Sequence, residues 1–354
     1  MINLKKVGLT ALAGSLAAVT AQAGEMSVTG SANVTYVTQS GGNIAQSLGH
    51  DKDVKFSGSG ELDNGWTFAI HTLSKDDLTV SSTATVMTMG SMGSIGIGTG
   101  GGTNVAGAYD EPIPTAYEEN SDAGGQGAAN YIGSYNDDNA IVYQMPAMDV
   151  MGATVSGGLE YSFQSGSGTG NDGGATARST TWGNSYGVGL TVAYDALSIG
   201  GYISERENKN HLAAVTVSDE MNAAWNVNYS MGPVSIGYGE FHISSGLADN
   251  GSADTTTAAK TVGTTSGIFD GDMMSIAFNV NDDLSLSWSE MTATHDSQQA
   301  STNTDVDEKH ESLQMAYSMG AMSLKAYTTE ITNPNFDEDA ETVTKNEIAL
   351  GLSF

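Results

Sequence analysis

Along this chain, apolar side chains alternate with small or polar ones in about sixteen short segments, and the last segment runs to the final residue. In Glu347-Ile348-Ala349-Leu350-Gly351-Leu352-Ser353-Phe354, Ile348, Leu350, Leu352 and Phe354 share one face. Glu347, Ala349, Gly351 and Ser353 share the other. A period of two is that of a β-strand, whose successive side chains point to opposite faces. A water-soluble domain seldom ends inside a strand, because chain termini fray. A sheet closed on itself pairs its last strand with its first and leaves no edge, and a bilayer demands this of membrane-spanning strands. The expected fold is all-β: a transmembrane antiparallel β-barrel of about sixteen strands.

In the first half the segments are placed at Met26 to Val37, Asp53 to Leu62, Gly65 to Leu73, Thr79 to Met89, Ser94 to Thr99, Asn139 to Met145 and Val150 to Phe163. In the second half they are Tyr186 to Tyr194, Leu197 to Glu205, Met221 to Ser230, Val234 to Ile243, Asp272 to Val280, Leu284 to Thr294, Glu311 to Ser318, Met322 to Ile331 and Thr344 to Phe354. Tight connections, such as Asp63-Asn64-Gly65 and Asp195-Ala196, alternate with long polar ones at 38–52, 100–138, 164–185, 206–220, 244–271, 295–310 and 332–343. Only 74–78 is short in the second class. Short turns at one end and long loops at the other are the pattern of an outer-membrane barrel. All five prolines are placed in connections, where no ladder N–H is needed. A soluble β-sandwich or β-helix leaves the loop asymmetry and the terminal Phe354 unexplained.

Residues 1–23 read as a secretory signal: Lys5 and Lys6, an apolar stretch from Val7 to Thr20, then Ala21-Gln22-Ala23. That stretch falls short of the roughly 20 residues a spanning helix needs. The mature barrel domain is then 24–354, with 12 − 2 = 10 basic against 41 acidic residues, a formal charge of −31. Such a charge repels nucleic acid. The chain has no cysteine, so disulfides and thiolate metal sites are excluded. The regular apolar face, for example Trp225, Val227 and Tyr229, must meet outer-membrane lipid, while sixteen strands enclose more space than side chains fill, so the interior is expected to be wet.

With its alternating strands and closing Phe354, the chain resembles bacterial outer-membrane proteins, in which such an ending is read by the barrel-assembly machinery. It is similar over its mature length to the trimeric sixteen-stranded general porins. That resemblance implies a homotrimer and a channel for passive diffusion of small hydrophilic solutes and ions. It also implies that the loop after the fifth strand, here 100–138, folds inward as a constriction. In place of the family's Pro-Glu-Phe-Gly-Gly tip this loop has Asp110-Glu111-Pro112-Ile113-Pro114. Asp110, Glu111, Glu118, Glu119 and Asp122 are the candidate constriction residues, and they predict a preference for cations. Lys55, His71 and Lys325 flank outward apolar residues and are candidate pore-wall groups. The family's arginine cluster has no counterpart, and 74–78 is short for the family's subunit latch.

No cofactor is expected, with Ca²⁺ the one candidate ion at loop carboxylates such as Asp305, Asp307, Asp337 and Asp339. Gly96-Ile97-Gly98-Thr99-Gly100-Gly101 fits a dinucleotide fingerprint, but no helical pattern follows. Gly183-Asn184-Ser185-Tyr186-Gly187 fits a nucleophile elbow, but it opens a strand. No bond-making chemistry is therefore expected. The rival readings are a plugged barrel acting as an adhesin or structural protein, and a lipid hydrolase with a Ser or Asp nucleophile near a wall histidine.

Overall fold

A computed structural model describes residues 24–42, 45–76, 78–121, 132–165, 182–209, 218–246, 267–296 and 305–354; the expected signal, 1–23, lies outside them. The strands are β1 (Met26–Ser40), β2 (Ala45–Glu61), β3 (Thr67–Lys75), β4 (Thr79–Thr88), β5 (Ser94–Thr99), β6 (Ala140–Val150), β7 (Ala153–Ser162) and β8 (Trp182–Tyr194). They continue with β9 (Leu197–Asn208), β10 (Glu220–Met231), β11 (Val234–Ser244), β12 (Ile268–Asn279), β13 (Leu284–Asp296), β14 (Val306–Met319), β15 (Met322–Thr332) and β16 (Val343–Ser353). Each strand pairs with its sequence neighbours and β1 pairs antiparallel with β16, so the sheet is one closed barrel.

The alternation sets the two surfaces. On β8, Tyr186, Val188, Leu190, Val192 and Tyr194 are exposed outward while Ser185 is fully buried. On β14, Leu313 points out while Ser312 and Gln314 are buried. Register joins these outward residues into rows: Tyr229, Ile236, Ile276, Trp288 and Leu313 sit side by side across β10 to β14. Aromatic and branched neighbours of this kind are the pairs that stabilise a sheet. At the seam, Gly30 and Phe354 exchange two backbone hydrogen bonds of 3.0 Å. The Phe354 ring covers Gly30 on the outer face, where a Cβ would lie only 2.4 Å from the ring.

Three boundaries differ most from the sequence reading. The connection placed at 38–52 shrinks to 41–44, because Gln39 already pairs with Ala45 and the ladder continues to Met26 and Gly58. Gln46, Ser47, Gly49, His50 and Asp51 are polar or small on both faces, so no period betrays a strand whose backbone is nonetheless paired. Pro146 lies inside β6, at an irregularity between Met145 and Met148. There β6 has run beyond its pairing with β5, which stops at Ser94 with Gln144, so the missing N–H costs no ladder bond on that side. The turn falls instead at Met151 and Gly152, both at positive φ (56° and 87°). Finally, β14 begins at Val306, which puts Asp307 and Glu308 on opposite faces rather than in one loop.

Candidate functional site

β5 is six residues long and pairs with β6 through only three of them, which frees the following loop to turn into the barrel. Its outgoing leg lies against β7 to β11. The Val105 N–H donates to Glu160 Oε2 at 2.6 Å. Tyr109 stacks on Tyr202 with ring centroids 5.7 Å apart, and Thr191 donates to the Tyr109 hydroxyl. Asn228 Nδ2 donates to the Pro112 carbonyl at 2.7 Å. This close approach needs glycine on the wall: a Cβ on Gly189 would lie 2.2 Å from the Tyr109 ring, and one on Gly237 2.5 Å from Pro114.

The loop then crosses to the far strands. Ala116 N–H donates to Ser287 Oγ on β13 at 2.8 Å. The N–H groups of Tyr117 and Glu118 both donate to Gln314 Oε1 on β14, and Gln314 Nε2 donates back to the Glu118 carbonyl. Tyr117 OH donates to Glu347 Oε1 on β16 at 2.7 Å. Burial, then the Glu347 carboxylate, pushes the Tyr117 hydroxyl pKa up, so the phenol stays protonated and donating. On the return leg Asn222 Nδ2 donates to the Gly133 carbonyl at 2.6 Å. Asn136 Nδ2 donates to Glu160 Oε1, so one wall carboxylate holds both legs of the loop. Beside it Arg206 pairs with Glu220 and lies 4.3 Å from the Tyr135 ring and 3.8 Å from that of Trp182.

Between loop and wall the interior is packed with side chains. Tyr109, Ile113 and Ile132 of the loop join Phe241, Ile243, Met273, Met291 and Phe336 in a buried apolar cluster. Here the loop supplies the cover that turns inward apolar residues of β11 to β13 into a core.

The predicted site residues separate into groups. Asp110 and Glu118 are half-buried and Glu119 is exposed. Glu111 is 5 % exposed, and its carboxyl accepts the N–H groups of Asn120 and Ser121. It ties the loop to itself and is buried rather than open to the lumen. Burial pushes its pKa up, against the opposing effects of those donors and of His310. Asp122 lies outside the described residues. Lys325 points inward from β15 with Nζ 4.8 Å over the Tyr117 ring. Lys55 and His71 share the inward face of β2 and β3, where Ser57 pairs with His71 and Lys55 with Leu73. Lys325 is separated from them by β16 and β1.

The calcium candidates do not converge. Asp307 accepts from Thr294 on the outer face, and Asp337 accepts the Asp339 N–H within one turn. No group of three or more metal-ligating side chains forms among the described residues. The sequence reading passed over Glu160 and Gln314 and put Arg206 in or beside a loop, whereas it lies within β9. Glu160 did carry a signal, since it is a lone charge at an inward position between the outward Leu159 and Tyr161.

A barrel of this strand number with a loop packed inside it matches known proteins by both sequence and shape. The family model described as Gram-negative porin matches residues 8–265. The chain belongs to that family. No curated protein sequence matches it. Among solved structures, Salmonella typhi OmpF in complex with daunomycin is similar at TM-score 0.69 and 12 % identity, over 94 % of this chain and 98 % of that one. An anion-selective porin from Comamonas acidovorans is similar at TM-score 0.61 and 13 % identity, over 93 % and 99 %. The trimer form of OmpT from Vibrio cholerae is similar at TM-score 0.53 and 12 % identity, over 94 % and 100 %. At these identities the likeness is one of fold. This porin is therefore a β-barrel channel protein of the bacterial outer membrane.

Proposed function

We propose that this porin passes small hydrophilic solutes and ions by passive diffusion, prefers cations, and makes or breaks no bond. The observation that carries this reading is the loop's position. It lies against β7 to β11 and β13 to β16 and leaves the inward faces of β1 to β3, with Thr29, Asn33 and Lys55, exposed to the lumen. The remaining passage runs between that polar wall and the loop's Asp110, Glu118 and Glu119. Carboxylates beside a low-dielectric wall raise the local concentration of cations. Lys55 and Lys325 oppose them, and Lys325 is already engaged with the Tyr117 ring.

The working unit is a homotrimer embedded in lipid, delivered by the barrel-assembly machinery through Phe354, and it needs no cofactor. The short strand β5 gives its part of the wall little lipid-facing area, which favours burial against a neighbour. Mass measurement in mild detergent should give three chains, and monomer alone would contradict the assembly. The purified protein should give stepwise currents in a planar bilayer. A silent bilayer with folded protein would favour the plugged adhesin instead, because part of the lumen is already filled by the apolar cluster.

A further inference from the structure

The alternation of β8 breaks at its start. Ser185 pairs with Arg206 on β9, but Trp182 pairs with Asn208, so three steps along β8 match two along β9. An extra residue of this kind is a β-bulge, which re-aims a side chain. Counted back from the outward Tyr186, an unbroken period would put Trp182 on the outer face. The bulge puts it inside, on the face that carries the buried Tyr202, Ser204 and Asn208 together with Arg206.

There Trp182 meets Arg206. The guanidinium carbon lies 3.8 Å from the centroid of the Trp182 ring and 4.3 Å from that of Tyr135, on the return leg of the constriction loop. Nε and Nη2 both donate to Glu220 Oε2, directly across on β10. The Arg206 side chain is 11 % exposed and that of Glu220 1 %. A guanidinium is planar, so its edge can pair with a carboxylate while its faces stack on rings. Here the edge is spent on the wall and the faces are left for the two rings. Tyr135 is itself buried, its hydroxyl donating to Asn222 Oδ1 at 3.2 Å and its carbonyl accepting from Ser165 Oγ at 2.8 Å. Those hydrogen bonds hold the rim of the ring and its backbone, and Arg206 bears on the ring plane.

We propose that Arg206 is a positioning residue for the constriction: anchored by Glu220 and covered by Trp182, it clamps the Tyr135 ring and so fixes where the return leg of the inward loop stands in the passage. The proposal rests on the channel reading above. Because its charge is answered by Glu220 and its side chain is nearly buried, Arg206 acts on the loop rather than on a passing solute. Trp182 belongs to the same device, since without the bulge its ring would lie on the outer face.

The test removes the two charges together. Arg206→Gln with Glu220→Gln leaves no buried charge unanswered and keeps the net charge of the chain. Single-channel recording should show open-channel noise and brief closures severalfold above wild type. The chain has no cysteine, so an engineered disulfide can stand in for the clamp. Ser185 Oγ donates to Asn136 Oδ1 at 2.7 Å, so Asn136→Cys with Ser185→Cys brings two thiols together across loop and wall. Added to the paired variant, this disulfide should restore the quiet current, and its reduction should bring the noise back. Noise at the wild-type level in the paired variant, or noise that the disulfide leaves unchanged, would overturn the proposal. Trp182→Leu keeps the ion pair and should give the same change at smaller size. If the paired variant fails to assemble, a Trp182→Leu channel as quiet as wild type would overturn the proposal in its place. Proteolysis of residues 100–138 in detergent needs no current. It should be faster in both variants and slowed again by the disulfide, and equal rates throughout would also overturn the proposal. A silent wild-type bilayer would count against the channel reading alone and would leave proteolysis to decide this one.

Discussion

Two walls of the same barrel carry similar residues in very different surroundings. On the loop-bearing side, Ser185, Ser204, Ser289 and Ser312 are fully buried. On the bare side, Ser27, Thr29 and Asn33 of β1 point the same way into the barrel and are exposed. The inward position is dictated by alternation in both cases. What differs is the loop, which lays a second layer over one wall and none over the other. A small polar side chain inside a barrel is thus a packing surface in one half and a water-bearing surface in the other.

The largest effect is expected at the seam of the bare wall. Closure there is carried by the ladder from Ser31 with Ser353 to Ser40 with Thr344 and by the Phe354 ring over Gly30. Phe354→Ala should sharply lower the amount of protein assembled in the outer membrane, whereas Asp249→Ala in a long connection should not. Equal membrane yield of the two variants would remove the seam's special standing.

Next in size is the contact between loop and wall. Gly189→Val should drive Tyr109 off β8 at a cost of about 1–3 kcal/mol. Thr29→Val on the bare wall should stay within about 0.5 kcal/mol. Thermal unfolding in detergent compares the pair, and similar losses in both would erase the distinction between the walls. Glu160→Ala should cost about 1–3 kcal/mol, because Val105 N–H, the Tyr202 hydroxyl and Asn136 lose a buried acceptor. The loop should then become sensitive to protease, and full resistance would show that other contacts hold both legs.

The smallest effect is a pH dependence within the loop. Burial raises the pKa of Glu111 in the folded protein above its unfolded value. A raised carboxyl contributes stability that is present below the unfolded pKa and lost as pH climbs through the folded one. Protease cleavage of the loop should therefore be slower in mild acid than in mild base, and Glu111→Gln should shrink that difference. A difference of unchanged size in the variant would show that Glu111 does not contribute.

Much of the barrel was legible because most of its outer face obeys one rule. A lipid-facing residue must be apolar wherever it falls, so β5, β8 and β15 could be placed to within a few residues. The rule fails where strands run beyond the bilayer. The first residues of β2 and of β14 are mostly polar or small, without a regular period, and read as loop, although their backbones are paired. The site was less legible than the strands. An acidic loop of 100–138 announces its charge but not its contacts. Glu111 and Glu119 look alike in sequence, yet one caps backbone N–H groups in the interior and the other is exposed. His310, Glu308 and Gln314 lie in a segment whose inward face gains meaning only when a loop nearly two hundred positions earlier is laid against it.

The most direct test of the account is a reversal potential across a planar bilayer holding the purified porin in a gradient of KCl at low ionic strength. Charges on the loop act over a Debye length of about 10 Å at 0.1 M salt and about 3 Å at 1 M. The account predicts a reversal potential of the sign for cation preference, weakening in concentrated salt. It also predicts a shift toward anions when Asp110, Glu118 and Glu119 are replaced together by their amides. A reversal potential of the opposite sign, or one the triple replacement leaves unmoved, would contradict the claim that this loop lines the passage and sets its selectivity.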